Sequence, residues 1–358
     1  MPPKLPADKE GDRAMRWGKL NGIANLTMFI GIIAGVLGLA AAPASAAARP
    51  ASQAVIFWTN YGNGAIGRAW ISGSHANANF ITGAAGPVGV TVYGGYIYWG
   101  NAGYDSIGRA KLNGTDVDQH FISVQGTPHG VAIADGYIYW TERFGNAIGR
   151  AKLNGRQVNN NFIRGAAGPW NIVAGGGYIY WTNFGYSGGS GGTTIGRAKL
   201  NGTDVNQHFI RGAATPSGLA ISSTYIYWGN FGADTIGRAN INGSHVNEKF
   251  IRTAAPTGGV TLRGQWIYWA NYWGGDSIGR AAISGKNVNN NFIRGLNGPT
   301  CVVTAALVDR DHARVQNALC HEGRHDRLGW LDGHRRLPGN ARVGRGEGAG
   351  RRGIARRY

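Results

Sequence analysis

The feature that most constrains this chain is a short aromatic segment that occurs six times, in identical or slightly altered form. It reads YIYWTN at 178–183. Successive copies of its tryptophan are separated by 41, 41, 41, 47 and 41 residues, and a glycine-serine insertion at 187–192 accounts for the longer interval. Such a fixed period indicates internal repeats. The six tryptophans are Trp58, Trp99, Trp140, Trp181, Trp228 and Trp269.

Each repeat contains the pattern of four short strands. The tryptophan segment alternates aromatic and branched residues with period two, and IGRAKLNG follows it and ends in an Asn-Gly turn signal. A segment of the type NNFIRG comes third, and a short apolar segment such as GVAI at 130–133 comes fourth. No helical period competes with this interpretation. Six such units predict an all-β fold, a six-bladed β-propeller with four antiparallel strands per blade.

The ends of the repeat region predict how the ring closes. The first repeat lacks an apolar inner strand, whereas the sixth is followed by a spare one at 300–304. Pairing of this strand with 54–60 would join the N-terminal and C-terminal strands and remove two exposed sheet edges. We therefore expect three parts in the chain: an N-terminal segment at 1–48, the propeller at 49–307 and a tail at 308–358.

The N-terminal segment has the pattern of an export signal. An apolar run at 23–42 follows Lys19 and precedes the small residues Ala44, Ser45 and Ala46. This order predicts a signal peptide that is cleaved near Ala46. Because the run approaches the ~20 residues that span a bilayer, an uncleaved membrane anchor is the alternative. Both interpretations predict a secreted, extracellular or cell-envelope protein.

The tail at 308–358 does not continue the strand pattern. It contains twelve arginines and four of the nine histidines. This composition is typical of a disordered basic tail or of a GC-rich gene read out of frame, and we assign it no function. The chain has only two cysteines, Cys301 and Cys320, so a disulfide framework is excluded and a single bridge stays open.

The repeat pattern YIYWTN…IGRAKLNG resembles the YWTD, or class B, repeats of the low-density lipoprotein receptor family, over residues 54–305. The resemblance implies a six-bladed propeller of the TolB-like architecture. It also implies that the fourth motif residue is structural and bonds between blades; a shared fold implies no particular ligand. The family's aspartate is replaced by Glu142 in the third copy. The other five copies have asparagine: Asn60, Asn101, Asn183, Asn230 and Asn271.

The chain carries a formal charge of +18, of which 19 basic and 9 acidic residues at 49–307 contribute +10. One arginine recurs per repeat, so we expect charge distributed around the molecule, which favours anionic partners such as acidic glycans and does not indicate nucleic acid. These arginines are predicted to bond neighbouring carbonyls: Arg68, Arg109, Arg150, Arg197, Arg238 and Arg280. Four others precede the face loops and are candidates for anion contact: Arg164, Arg211, Arg252 and Arg294.

In a propeller, the loops after the tryptophan strand and the loops that enter the inner strand share one face. Residues that differ among copies at these positions are released from the common packing role. They are the candidate binding residues: His129, Trp170, Glu142, Arg143, Tyr61, Phe184, Phe231, Tyr272 and Trp273. One interpretation is a platform on which sugar rings or an extended peptide stack. The other is that these aromatic side chains pack between neighbouring loops.

An enzyme of the lactonase, esterase or lyase type would need several acids converging on the channel. Only Glu142, with His129 near it, has such a position in the sequence, so no catalytic residue, metal or cofactor is predicted. The sequence predicts a monomeric, non-catalytic binding protein whose partner is a protein or a glycan, including anionic glycans. Nucleic acid is not expected, and the only expected membrane contact is an N-terminal anchor. A channel enzyme and a structural cell-envelope protein stay as alternatives.

Overall fold

The computed structural model describes residues 53–185 and 192–307; the predictions for 1–48, for 308–358 and for a bridge to Cys320 lie outside these residues. The described chain consists of short strands joined by turns. They are β1 Gln53–Asn60, β2 Ala65–Trp70, β3 Asn77–Ile81, β4 Pro87–Tyr93, β5 Tyr96–Asn101, β6 Ser106–Lys111, β7 Asp118–Ser123, β8 Pro128–Ala134, β9 Tyr137–Glu142, β10 Ala147–Lys152, β11 Asn159–Arg164, β12 Pro169–Gly175, β13 Tyr178–Asn183, β14 Thr194–Lys199, β15 Asn206–Arg211, β16 Pro216–Ile221, β17 Tyr225–Asn230, β18 Thr235–Asn240, β19 Asn247–Arg252, β20 Thr257–Arg263, β21 Trp266–Asn271, β22 Ser277–Ala282, β23 Asn289–Arg294 and β24 Pro299–Leu307.

These strands form six four-stranded antiparallel sheets, which are the blades of the propeller. Blade 1 contains β24 and β1–β3, and blades 2 to 6 contain β4–β7, β8–β11, β12–β15, β16–β19 and β20–β23. The inner strands of successive blades contact one another around the ring, from β4 through to β24 and back to β4. The predicted six-bladed, all-β fold is therefore confirmed. Within the described ranges, no helix long and apolar enough to cross a bilayer is present.

Blade 1 is closed by the two ends of the repeat region. Strand β24 pairs antiparallel with β1, with Val55 opposite Ala305 and Trp58 opposite Val302. The predicted pairing of 300–304 with 54–60 is confirmed and extends further, over Gln53–Asn60 and Pro299–Leu307. Because the first and last strands share one sheet, β1 is paired on both sides, with β24 and with β2, and is not left as an exposed edge.

The core lies between the faces of neighbouring blades. All six motif tryptophans are completely buried, and Trp181 of blade 4 packs in one cluster with Tyr139 of blade 3. The glycine of each IGRA segment lies directly opposite the tryptophan, as Gly149 lies opposite Trp140, and a Cβ there would overlap the indole ring. This close approach explains why glycine interrupts an otherwise apolar strand.

The asparagine of each motif bonds to the fourth strand of its own blade. Asn183, for example, donates from Nδ2 to the Gln207 carbonyl oxygen at 2.9 Å. Its Oδ1 accepts from the Ala167 amide at 3.0 Å, in the connection that enters from the preceding blade. Threonines one residue earlier bond directly to the next blade, as Thr182 Oγ1 donates to the Ser217 carbonyl at 2.7 Å. The last two residues of the motif therefore connect the strands within a blade and neighbouring blades by hydrogen bonds, which is the structural role that the resemblance implies.

The propeller has two unlike faces. The loop face contains the connections between second and third strands and those between blades, as at 143–146 and 165–168. The hairpin face contains the tight turns between first and second strands, as at 135–136, and the hairpins between third and fourth strands, as at 153–158, which have Asn-Gly in four blades and Ser-Gly in blades 1 and 6. In these hairpins the asparagine forms a local turn: Asn113 Oδ1 accepts from the Thr115 amide at 3.1 Å.

The repeated arginines lie in the hairpin half of each blade, and among the described residues the predicted bond to a neighbouring carbonyl is found at Arg150 alone. The contact that all six share is aromatic, because each guanidinium lies over the phenylalanine twelve residues later, at 3.7–4.6 Å from ring centroid to Cζ. In five blades the guanidinium also contacts the Tyr or Trp that begins the second strand. In blade 3, for example, the Arg150 Cζ lies 4.4 Å from the Tyr137 ring centroid. Among the described residues, only Arg150 also contacts a carbonyl group: its Nη1 lies 3.5 Å from the Leu200 carbonyl oxygen.

Candidate binding site on the loop face

A continuous band of aromatic rings crosses the loop face from blade 4 to blade 6. Trp170 and Phe184 stack with centroids 4.6 Å apart and an interplanar angle of 27°. Phe184 contacts Phe231 at 5.5 Å, and Phe231 contacts Tyr272 at 6.2 Å. Trp273 continues the band at 6.1 Å from Tyr272. The predicted aromatic residues of these three blades are therefore brought together in one row, called the aromatic band below.

Arg143 of blade 3 adds a positive charge at one end of the aromatic band. Its guanidinium carbon lies 4.7 Å from the Trp170 centroid and 5.3 Å from that of Phe184. Both distances lie within the range of a cation–π contact. Phe144, which follows it in the same loop, is 61% exposed. The aromatic band thus combines apolar ring faces with the positively charged guanidinium of Arg143 at one end.

Exposure differs along the aromatic band. Trp170, Phe184, Phe231 and Tyr272 are half-buried by their mutual packing, whereas Trp273 is 73% exposed. Tyr61 of blade 1 is 49% exposed. The four half-buried rings pack against one another, and Trp273, at the blade 6 end of the row, exposes ring area to solvent. The role of these residues in binding stays a prediction.

His129 is buried beneath this surface. It is 4% exposed, and its ring meets Trp170 edge-on at 4.4 Å. Burial, together with the nearby Arg143 charge, lowers the pKa of His129 to about 3, so the imidazole is neutral at physiological pH. The structure therefore places His129 as support for Trp170 and not on the exposed loop surface.

Glu142 is also buried and occupies the motif position that asparagine holds in the other five blades. One carboxylate oxygen accepts a hydrogen bond from Trp140 Nε1, and the other, Oε2, has no hydrogen-bond partner among the described residues. Burial raises the pKa of Glu142 to about 8. Gly126 closes over Oε2 so tightly that a Cβ there would meet it. Glu142 is therefore enclosed within its blade.

The throat of the central channel is formed by residues that the sequence analysis did not select. Each inner strand contributes one residue there, and four of the six are glycines whose backbones nearly touch the next inner strand. The other two are Asn171 of blade 4 and Cys301 of blade 1, which face each other across the axis with Nδ2 3.8 Å from Sγ. The signal was present in the sequence, because these two residues replace glycine at the start of the inner-strand segment.

Asn171 and Cys301 line a small cavity in the channel. This cavity has a volume of about 70 Å³ and is lined mainly by Val, Ala, Ile and Leu of the six inner strands. No carboxylate or imidazole belongs to that lining. In the part of the chain that the structure describes, no group of three or more His, Cys, Asp or Glu residues could hold a metal ion. The polar or sulfur-containing side chains of the lining are Thr91, Asn171, Thr261 and Cys301.

Known proteins are similar to this chain in structure, but no sequence family matches it. No protein-family model matches the chain, and no curated protein matches it. A chain of a nidogen/laminin complex is similar, with 20% identity, coverage of 70% of this chain and 98% of that chain, and a TM-score of 0.58. The resemblance is one of fold. It confirms the predicted YWTD-like, six-bladed propeller at that level.

Enzymes have similar structures too. A gluconolactonase from Xanthomonas campestris matches with 15% identity, 71% of this chain, 91% of that chain and a TM-score of 0.51. A luciferin-regenerating enzyme matches with 10% identity, 63% and 85% coverage and a TM-score of 0.52. At such identities the likeness establishes the fold alone, and this fold serves both complexes and catalysis. The site itself must carry the functional argument.

Proposed function

We propose that this protein is a non-catalytic binding module, exposed outside the cytoplasm, that takes a protein or a glycan on its loop face. The observation that carries the proposal is the aromatic band, which ends in Trp273 with 73% of its surface exposed. A tryptophan held against Tyr272 and Phe231 is a preorganised contact surface, because little side-chain freedom is lost when a partner covers it.

The composition of the aromatic band suits recognition. Tryptophan, tyrosine and arginine are the residues that most often dominate binding energy at interfaces. The Arg143 guanidinium lies over the Trp170 ring. A partner that covers the Trp170 end of the aromatic band therefore contacts both the edge of the indole and the N–H donors of a guanidinium in a fixed position. Sugar rings and the side chains of an extended peptide both fit such a surface.

The channel supports binding over catalysis. Asn171 and Cys301 contact each other across the channel, and most of the other side chains that line its cavity are aliphatic. Glu142 and His129, the two residues that an enzyme site would use first, are both buried and held in structural positions. The apolar run at 23–42, with its basic flank and small-residue end, supports exposure outside the cytoplasm.

The proposal is tested by screening the full chain against a glycan array and a peptide-display library. We expect hits whose affinity falls at least tenfold in the Trp273→Ala variant, because the exposed indole supplies the largest accessible ring of the face. The free energy of unfolding should change by less than about 0.5 kcal/mol, since an exposed side chain is removed.

Val246→Ala is the matched control, because Val246 is 43% exposed on the hairpin face. It should leave both binding and stability unchanged. Hits that bind Trp273→Ala as tightly as the parent would exclude the aromatic band as the site. A chain that gives no hits in either screen would favour the structural cell-envelope alternative.

A further inference from the structure

The two faces of the propeller differ strongly in charge. In the described residues, the hairpin face has twelve basic and four acidic side chains, a formal +8, whereas the loop face has five basic and four acidic ones; Glu248 and Lys249, within β19, are counted with neither face. The basic residues of the hairpin face are Arg68, Arg109, Lys111, Arg150, Lys152, Arg156, Arg197, Lys199, Arg238, Arg263, Arg280 and Lys286. Its acids are Asp116, Asp118, Asp135 and Asp204. The repeated arginines are distributed around the ring, one in each blade, as the sequence predicted, and the net positive charge is concentrated on the hairpin face.

The arginines of this face are held in fixed orientations. Arg109 lies 3.7 Å from the Phe121 centroid and 4.8 Å from that of Tyr96, so rings cover it from two sides. Burial raises the pKa of Tyr98, and the positive charge of the neighbouring Arg109 guanidinium opposes that rise. A guanidinium covered by rings presents its N–H edge, which is the part that recognises oxyanions. Because its rotamers are restricted before binding, little entropy is lost on contact.

Each hairpin contacts the phenylalanine ring that covers the arginine of the preceding blade. The hairpin glycine of each blade packs against a phenylalanine of the preceding blade, the one whose ring covers that blade's arginine. Gly155 of blade 3, for example, lies against Phe121 of blade 2. The same contact joins Gly202 to Phe162 and Gly243 to Phe209. The arginines and the hairpin cations thus form one annulus around the hairpin face, called the basic annulus below.

Blade 3 has the most accessible cations of the basic annulus. In blades 2 and 4 the hairpin lysine is paired with an aspartate in its own turn, Lys111 with Asp116 at 2.6 Å and Lys199 with Asp204 at 2.7 Å. In blade 3 the turn residue is Gln157, so exposed Lys152 has no ion pair among the described residues. Arg156 adds a second exposed cation in the same hairpin.

We propose that the basic annulus is a second binding surface and that its ligand is a linear anionic polysaccharide. A chain with regularly spaced sulfate or carboxylate groups can contact several fixed guanidinium edges in succession around the face. Single-stranded nucleic acid fits less well, because its bases need exposed ring faces for stacking. The aromatic residues with the largest exposure, among them Tyr61, Tyr104, Phe144 and Trp273, all lie on the opposite loop face.

The experiment uses the full chain and heparin as the probe, with Kd measured by calorimetry across a salt series. Lys152→Glu/Arg156→Glu should weaken heparin binding at least tenfold and reduce the slope of log affinity against log salt by about two, roughly one per lost cation. The matched control compares the single charge reversals Lys152→Glu and Lys249→Glu, because Lys249 is an exposed lysine of the outer strand β19 that does not belong to the basic annulus. The basic termini are the same in all of these variants and so contribute equally.

The outcomes separate the explanations. Selective loss in the hairpin variants, repeated in the milder Lys152→Gln/Arg156→Gln variant, supports the basic annulus. Equal loss in the two single charge-reversal variants shows an effect of net charge and overturns the proposal, and so does unchanged binding in the Lys152→Glu/Arg156→Glu variant. Tighter binding of a single-stranded DNA oligomer than of heparin, lost in the same hairpin variants, replaces the polysaccharide with nucleic acid. None of these outcomes depends on the aromatic band, because the hairpin substitutions lie on the other face.

Discussion

Glu142→Asn is expected to stabilise the protein, and increasingly so as the pH rises. Glu142 is 1% exposed, and its Oε2 has no hydrogen-bond partner among the described residues. Asparagine at this position in other blades donates to the fourth strand, as Asn101 Nδ2 donates to the Gln119 carbonyl at 2.8 Å. The substitution therefore restores a donor in blade 3 and removes a carboxyl group that resists ionisation.

The magnitude follows from the pKa of Glu142, which burial raises from the usual 4.5 to about 8. Because the folded-state value is the higher one, the associated stability is complete below pH 4.5 and is lost as the pH rises through 8. With 1.36 kcal/mol per pKa unit, the loss is about 3 kcal/mol at pH 7 and about 4–5 kcal/mol above pH 9. For a domain of this size, 3 kcal/mol corresponds to roughly 6–12 °C in the thermal midpoint.

The assay is calorimetric melting of the parent and Glu142→Asn at pH 4.5, 7 and 9. The difference in thermal midpoint should be smallest at pH 4.5 and grow with pH. Asp234→Asn is the matched control, because it removes one carboxylate from an exposed position of the equivalent loop region in blade 5. A midpoint difference that is the same at all three pH values would refute the reasoning, since the burial of an ionising group could not then be its cause.

Three further predictions concern packing, closure and the second buried titrating group. Trp181→Ala should cost roughly 3–5 kcal/mol of unfolding free energy because Trp181 is completely buried, whereas Trp170→Ala, at a half-buried ring, should cost clearly less in urea titrations; equal losses would make Trp170 core. Deletion of Pro299–Leu307 should expose the edge of β1 and cause aggregation seen by light scattering, and a deletion variant that melts like the parent would contradict closure through both ends. His129→Val introduces the residue that blade 2 has at this position, Val88, and should become more stable than the parent as the pH falls from 6.5 towards 3. The reason is that the lowered pKa of His129 makes its protonation destabilising to the folded parent in that pH range. A urea midpoint difference between variant and parent that is the same at pH 7 and pH 4 would contradict this.

The candidate site was only partly predictable from sequence. Comparison of the repeats located the loop-face residues, because a position that varies among copies is released from common packing. It could not say which of them are exposed: His129 and Trp170 differ from their counterparts equally, yet one is buried and the other half-buried. Exposure depends on which rings meet across blades, and those neighbours are 14 to 47 residues apart in the chain, as Trp170 is from Phe184 and Phe184 from Phe231.

The sequence by itself determined the number of blades, the four strands in each and the closure of blade 1, because all three follow from local period-two patterns repeated in register. Only the tertiary structure decided the role of the repeated arginines, since a ring twelve residues away comes to lie over each guanidinium only when the third and fourth strands pair. Only it placed Asn171 opposite Cys301, 130 residues apart, in the channel throat. It also gathered the basic side chains on the hairpin face, because strand direction decides at which end of a blade each charge emerges.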